Sequence, residues 1–135
     1  MTEGIRALLI EDEEEIAQIA KGMLIVGGFR EDLIDSVATT GDGLELLTQR
    51  AYGLVITDLM QTPSGADVYK FAKERGIQDV YIFSAVGSQT IIAETRKLAG
   101  QNFLVKPGDI VRIPDIAQQA IKKVLEQKPY KTPQP

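Results

Sequence analysis

The chain has 135 residues, 44% of them hydrophobic and 25% charged, with a net charge of −4, the composition of one ordinary soluble domain able to bury a core without staples. It contains no cysteine and no histidine, which excludes disulfides, thiolate or imidazole metal sites, a Ser-His triad and a phosphohistidine carrier, and leaves carboxylate-oxygen metal chemistry. The acidic balance argues against nucleic acid and for a protein partner; with no uninterrupted apolar stretch of about 18 residues and MTEG in place of a leader core, a cytoplasmic, non-membrane location is expected.

In chain order, strand-like runs near 5–10, 33–37, 53–57, 80–83 and 102–105 alternate with helix-like stretches near 13–26, 42–51, 66–75, 88–99 and 112–127. The first run, ALLI, leads into Glu11-Asp12 and a helix whose apolar stripe is Ile16, Ile19, Ala20 and Met23, ending toward Gly27-Gly28. The second, within EDLIDSVA, is the most polar and reads as an edge strand. LVIT runs into Asp58, VYIF into Ser84, and FLV into Lys106. These runs are continuous instead of alternating, as in strands covered on both faces. The last helix is the clearest: Ile113, Ile116, Ala117, Ala120, Ile121, Val124 and Leu125 keep helical spacing, with Pro114 in the first turn. Residues 1–127 read as one domain, and the segment 128–135, with three prolines in its last seven residues, as an extended tail or linker.

Five βα units imply a parallel sheet with helices on both faces. In such a sheet the carboxyl ends of the strands share one edge, where ligands bind. Glu11, Asp12, Asp58, Ser84 and Lys106 therefore converge. Each has an ordinary explanation when taken alone. Acids in a first helical turn complement the helix dipole, which accounts for Glu13, Glu14 and Glu15. Asp58 could serve as a helix cap, but the next helical pattern starts near Ala66, too far downstream. Ser84 is a common loop residue and Lys106 a common surface charge. Together, however, three clustered carboxylates repel unless a cation intervenes, and a hard ion such as Mg²⁺ accepts carboxylates while bridging to phosphate. Lys106 can pair with the Asp58 carboxylate and later with a phosphoryl oxygen, and the Ser84 hydroxyl can donate to the same oxygen.

This constellation, closed by FLVKP, resembles the receiver domains of two-component response regulators over nearly the whole chain. The resemblance implies a flavodoxin-like, doubly wound, five-stranded parallel sheet of order 2-1-3-4-5. It implies that Asp58 is the phosphoacceptor and that Asp12 and Asp58 bind Mg²⁺. Glu11 would help through water, and the Met60 backbone carbonyl would complete the protein ligands. Ser84 and Lys106 would contact the phosphoryl oxygens, and Ser84 with Phe103 would form the switch. The donor would be a histidine kinase or histidine phosphotransfer protein. The output would be a downstream protein, an appended effector domain or a phosphorylation-dependent dimer, reached through the fourth helix, fifth strand and fifth helix. Such a domain is a signalling phosphoacceptor with only self-catalysed transfer and hydrolysis. The chain departs from the family pattern after Asp58: DLMQTPSG places Pro63 five residues on and Gly65 two beyond that, so a remodelled loop is expected over Gln61 to Gly65.

Three positions next to the reacting groups bear on access and lifetime: Ala85, which a phosphoryl group must pass, and Met60 and Val86, which can shield but not orient an attacking water. The Lys106–Pro107 bond is expected to be cis. The alternative reading is a receiver-like interaction module that works without phosphorylation. A Mg²⁺ phosphatase would want a second acid where Met60 stands, and a flavin carrier a hydroxyl- and glycine-rich loop where EDEEE stands.

Overall fold

The computed structural model describes residues 4–85 and 87–131, with the backbone alone from 128 onward. Its strands are β1 (Ala7–Ile10), β2 (Ile34–Val37), β3 (Leu54–Thr57), β4 (Val80–Ser84) and β5 (Phe103–Val105). Its helices are α1 (Glu14–Val26), α2 (Thr40–Gln49), α3 (Gly65–Glu74), α4 (Gln89–Ala99) and α5 (Ile113–Lys131). All pairings are parallel, in the expected order β2-β1-β3-β4-β5.

Successive strand residues point to opposite faces, and here both faces are apolar. Ala7, Leu9, Leu54, Ile56, Phe83 and Leu104 meet α1 and α5, whose Ala20, Leu24, Ile113, Ile116, Ala117, Ala120 and Ile121 complete that core. Leu8, Ile10, Val55 and Val80 face the other way, onto Leu47 of α2 and Val68 and Ala72 of α3. A smaller cluster of Leu59, Ile82, Ala99 and Phe103 seats α4. β2 is the polar edge, with Ser36 exposed.

Three details differ from the sequence reading. Ile19 is 51% exposed, because α1 is rotated to bury Ala20 and Leu24 against the sheet. α2 starts at Thr40 instead of near residue 42 and ends at Gln49: the Thr39 hydroxyl accepts the Asp42 N–H at 3.0 Å, a cap that outweighs the poor helix propensity of Gly41 and Gly43. α5 continues in helical backbone to Lys131, so the expected extended stretch does not begin at residue 128; the helix accommodates Pro129 in its last turn, where one forgone hydrogen bond ends nothing upstream. Residues 132–135 lie outside the described residues.

Candidate functional site at the carboxyl edge of the sheet

Strand register sets the site. Ile10 pairs with Thr57 across β1 and β3, so Glu11 and Asp58 leave the sheet at one level. Backbone bonds hold both exits: the Glu11 N–H donates to the Val37 carbonyl at 2.9 Å and the Asp58 N–H to the Ile10 carbonyl at 2.9 Å. On the other side Ser84 pairs with Val105, and the Lys106 N–H donates to the Ser84 carbonyl at 2.9 Å. The Lys106–Pro107 peptide is cis, as expected from the sequence; Thr62–Pro63 is cis too, which the sequence reading did not anticipate.

The three acids meet. One carboxylate oxygen from each of Glu11, Asp12 and Asp58 lies within 4.8 Å of the other two. Glu11 and Asp58 are buried while Asp12 is exposed at the mouth, an arrangement open to an ion arriving from solvent. The Asp58 Oδ1 accepts the Leu59 N–H at 2.8 Å. The Glu11 Oε2 accepts the Glu13 N–H at 3.0 Å and a hydrogen bond from Lys106 Nζ at 3.0 Å. Glu11 Oε1 lies 2.8 Å from the same ammonium, so Lys106 sits against both oxygens of this buried carboxylate. Three carboxylates, each offering an oxygen to one point at the sheet edge, form the all-oxygen donor set of a hard divalent cation, so the residues present fit Mg²⁺.

Lys106 makes the ion pair with Asp58 that the sequence reading anticipated, and has a shorter contact that it did not. Its first partner is Glu11, and Asp58 Oδ1 is 3.7 Å away, with Glu13 at 3.6 Å. Its ammonium also lies 5.6 Å from the Phe83 ring centroid. Burial works against its charge, but the hydrogen bond with Glu11 and the field of Asp58 outweigh it and hold its pKa above the ordinary value. Burial raises the Glu11 pKa, and the Lys106 hydrogen bond only partly offsets this. The lysine is therefore a fixed cation within about 1 Å of contact with Asp58, by the usual 2.7–2.9 Å length of a charge-assisted bond.

Ser84 is buried at the end of β4. Phe103 is buried at the start of β5 against Leu59, Ile82 and Ala99, with the Arg96 guanidinium 5.5 Å from its ring centroid. Met60 is 66% exposed. Ala85 is exposed beside Ser84, and Val86 lies outside the described residues.

Sequence reasoning missed how the loop after Asp58 is held. The Gln61 side chain accepts the Thr40 N–H at 2.8 Å through Oε1 and donates to the Ala38 carbonyl at 2.9 Å through Nε2. The Thr40 hydroxyl donates to the Pro63 carbonyl at 2.5 Å. No local pattern signals these contacts, which span 21 to 23 residues. Gly65 opens α3 directly against the acceptor strand: a Cβ there would lie 2.0 Å from the Asp58 carbonyl oxygen. That close approach, not a positive φ, is why glycine stands there.

No family model matches the chain. It is 34% identical over 106 residues to the transcriptional regulatory protein DltR of Streptococcus agalactiae, an alignment covering 76% of this chain and 46% of DltR; the chain thus spans about half the length of that relative. Among solved structures, a response regulator receiver domain protein from Clostridium thermocellum superposes with a TM-score of 0.71 at 25% identity, covering 90% of this chain and 98% of that one. The receiver domain of the Francisella response regulator 1452 gives 0.68 at 25%, covering 89% and 98%. No helix among the described residues is long and apolar enough to cross a membrane. With the sheet order, the acid cluster and the lysine at one edge, these likenesses agree: the chain belongs to the receiver domains of response regulators, which are signalling domains.

Proposed function

We propose that this domain carries signals as an aspartyl phosphate: Asp58 takes a phosphoryl group from a histidine kinase or histidine phosphotransfer protein, with Mg²⁺ held by Asp12, Asp58 and the Met60 carbonyl and assisted by Glu11. The observation that supports this best is the convergence of three carboxylate oxygens within 4.8 Å, with a buried ammonium 3.7 Å from Asp58 Oδ1. In the transfer, an Asp58 carboxylate oxygen forms a bond to phosphorus while the bond to the donor imidazole nitrogen breaks, the electron pair leaving with the imidazole. Oδ1 is taken by the Leu59 N–H, and among the described residues nothing donates to Oδ2, which is the oxygen left for attack. The ion, when bound, neutralises charge on the transferring group. Lys106 supplies a preorganised cation for a phosphoryl oxygen, and the Ser84 hydroxyl donates to another.

The readout is a population shift. Drawing the Ser84 hydroxyl toward the phosphoryl group vacates space that Phe103 can fill, altering the surface of α4, β5 and α5 for a downstream protein, an appended effector domain or a second copy of the chain. We place the domain in the cytoplasm, where an ATP-fed donor works. We take residues 1–127 as the receiver and 128–135 as a tail into which the end of α5 runs, as far as Lys131. The acids and the lysine of the site are all present, which argues against a module that keeps the fold without the chemistry.

Mass spectrometry after incubation with acetyl phosphate and Mg²⁺ tests the reading. A gain of one phosphoryl group, lost without Mg²⁺ and in Asp58→Asn, is expected. No gain in the parent, or an equal gain in Asp58→Asn, overturns it.

A further inference from the structure

We propose that Gln61 is a positioning residue for the metal side of the site, acting through the adjoining Met60 peptide; this deepens the reading above and rests on it. A backbone carbonyl is a useful ligand only if its peptide is already still, since the entropy lost in fixing it must otherwise be supplied by binding. The segment between Asp58 and Gly65 is immobilised at four points, one of them the hydrogen bond that the Thr40 hydroxyl donates to the Pro63 carbonyl. Asp58 is tied to β1 through the Ile10 carbonyl, and the Gly65 N–H donates to the Leu59 carbonyl at 2.9 Å. Between them, Gln61 spans an N–H and a C=O of the β2–α2 connection, at Thr40 and Ala38. Only a primary amide offers a donor and an acceptor side by side for that pair.

The anchor on the far side is itself rigid. Thr40 is fully buried, and α2 lies so close to β1 that a Cβ at Gly43 would come within 2.2 Å of Ile10 Cδ1. Met60, 66% exposed, therefore hangs between fixed neighbours although its own side chain packs little. The amide of Gln61 does what packing does not.

The test compares parent, Gln61→Met and Asp12→Ala by calorimetric titration with Mg²⁺, by Thr40 amide hydrogen exchange, and by acetyl phosphate kinetics at varied Mg²⁺. Gln61→Met keeps the side-chain volume and removes both hydrogen bonds. It should weaken Mg²⁺ binding about tenfold, the scale set by groups that orient metal ligands, and speed Thr40 exchange. The same factor should appear in the Mg²⁺ half-saturation of phosphorylation, with the rate at saturating Mg²⁺ nearly restored. Unchanged affinity in Gln61→Met, with binding intact in the parent and lost in Asp12→Ala, overturns this inference alone. So does a lower maximal rate at unchanged half-saturation, the mark of general loosening. A parent that binds no Mg²⁺ overturns the functional reading and this inference with it.

Discussion

Gly65→Ala should lower stability and disturb the site together, because one added methyl group has nowhere to go. Its Cβ would lie 2.0 Å from the Asp58 carbonyl oxygen, 2.7 Å from Leu59 Cα and 2.8 Å from the Asp58 carbonyl carbon. All three are backbone atoms, so no rotamer change relieves the contact. Reaching the 3.0 Å below which real Cβ contacts essentially never fall requires 1.0 Å of movement. β3 cannot supply it while the Asp58 N–H is bonded to Ile10, so the start of α3 must move and stretch the 2.9 Å bond from the Gly65 N–H to the Leu59 carbonyl. Overpacking of this kind costs about 1–3 kcal/mol, and the hydrogen bond contributes about 1 kcal/mol. Reduced freedom of the unfolded chain returns about 0.4–1 kcal/mol. The expected net loss is about 2 kcal/mol, a fall of roughly 6–10 °C in Tm for a domain of this size. Urea unfolding followed by circular dichroism measures it, with Mg²⁺ affinity recorded on the same samples. Gly22→Ala is the internal control: it lies within α1 with nothing inside 4 Å of an added Cβ, and should be stabilising by up to about 1 kcal/mol. A Gly65→Ala loss below about 0.5 kcal/mol with Mg²⁺ binding unchanged would refute the steric reasoning.

Ala85→Leu should slow phosphorylation by acetyl phosphate while leaving Tm nearly unchanged, since Ala85 is exposed beside Ser84; equal rates would remove the access argument. Met60→Asn with Val86→Glu should speed loss of the phosphorylated species about tenfold, equivalent to about 1.4 kcal/mol of barrier, by giving an attacking water polar partners. A double variant that decays no faster than the parent places control of lifetime elsewhere. Far from the site, Asp35 accepts the Tyr52 hydroxyl at 2.6 Å and the Arg50 guanidinium at 2.8 Å. Burial opposes its charge, but these bonds prevail and its pKa is lowered. A carboxyl with a folded pKa below its unfolded value of about 3.9 stabilises fully above that value and loses the contribution as pH falls through the folded one. The stability gap between parent and Asp35→Asn should therefore shrink from about pH 6 to about pH 3 in urea titrations, and a constant gap would contradict the assignment.

The sequence by itself determined the layout. Continuous apolar runs between amphipathic segments define strands buried on both faces, and residues just past each run must emerge at one edge because parallel strands share direction. Glu11, Asp12, Asp58, Ser84 and Lys106 were legible for that reason: each is fixed by its distance from a strand end, a local property of the chain. The edge character of β2 and the apolar stripe of α5 were legible from the same periodicities. The start of α2 was not, since a side-chain cap at Thr39 overrides the propensity of two glycines.

Tertiary structure alone decided which charges pair. Lys106 comes closer to Glu11, 95 residues away, than to Asp58, a difference of about 1 Å that lies in side-chain placement, since both acids leave the sheet at one level. It also decided that Gln61 grips Ala38 and Thr40 and that α3 begins against the acceptor's own carbonyl. A spacing pattern places a residue on an element, but the partner of a side chain depends on how separate elements pack, and that information is spread over the whole chain.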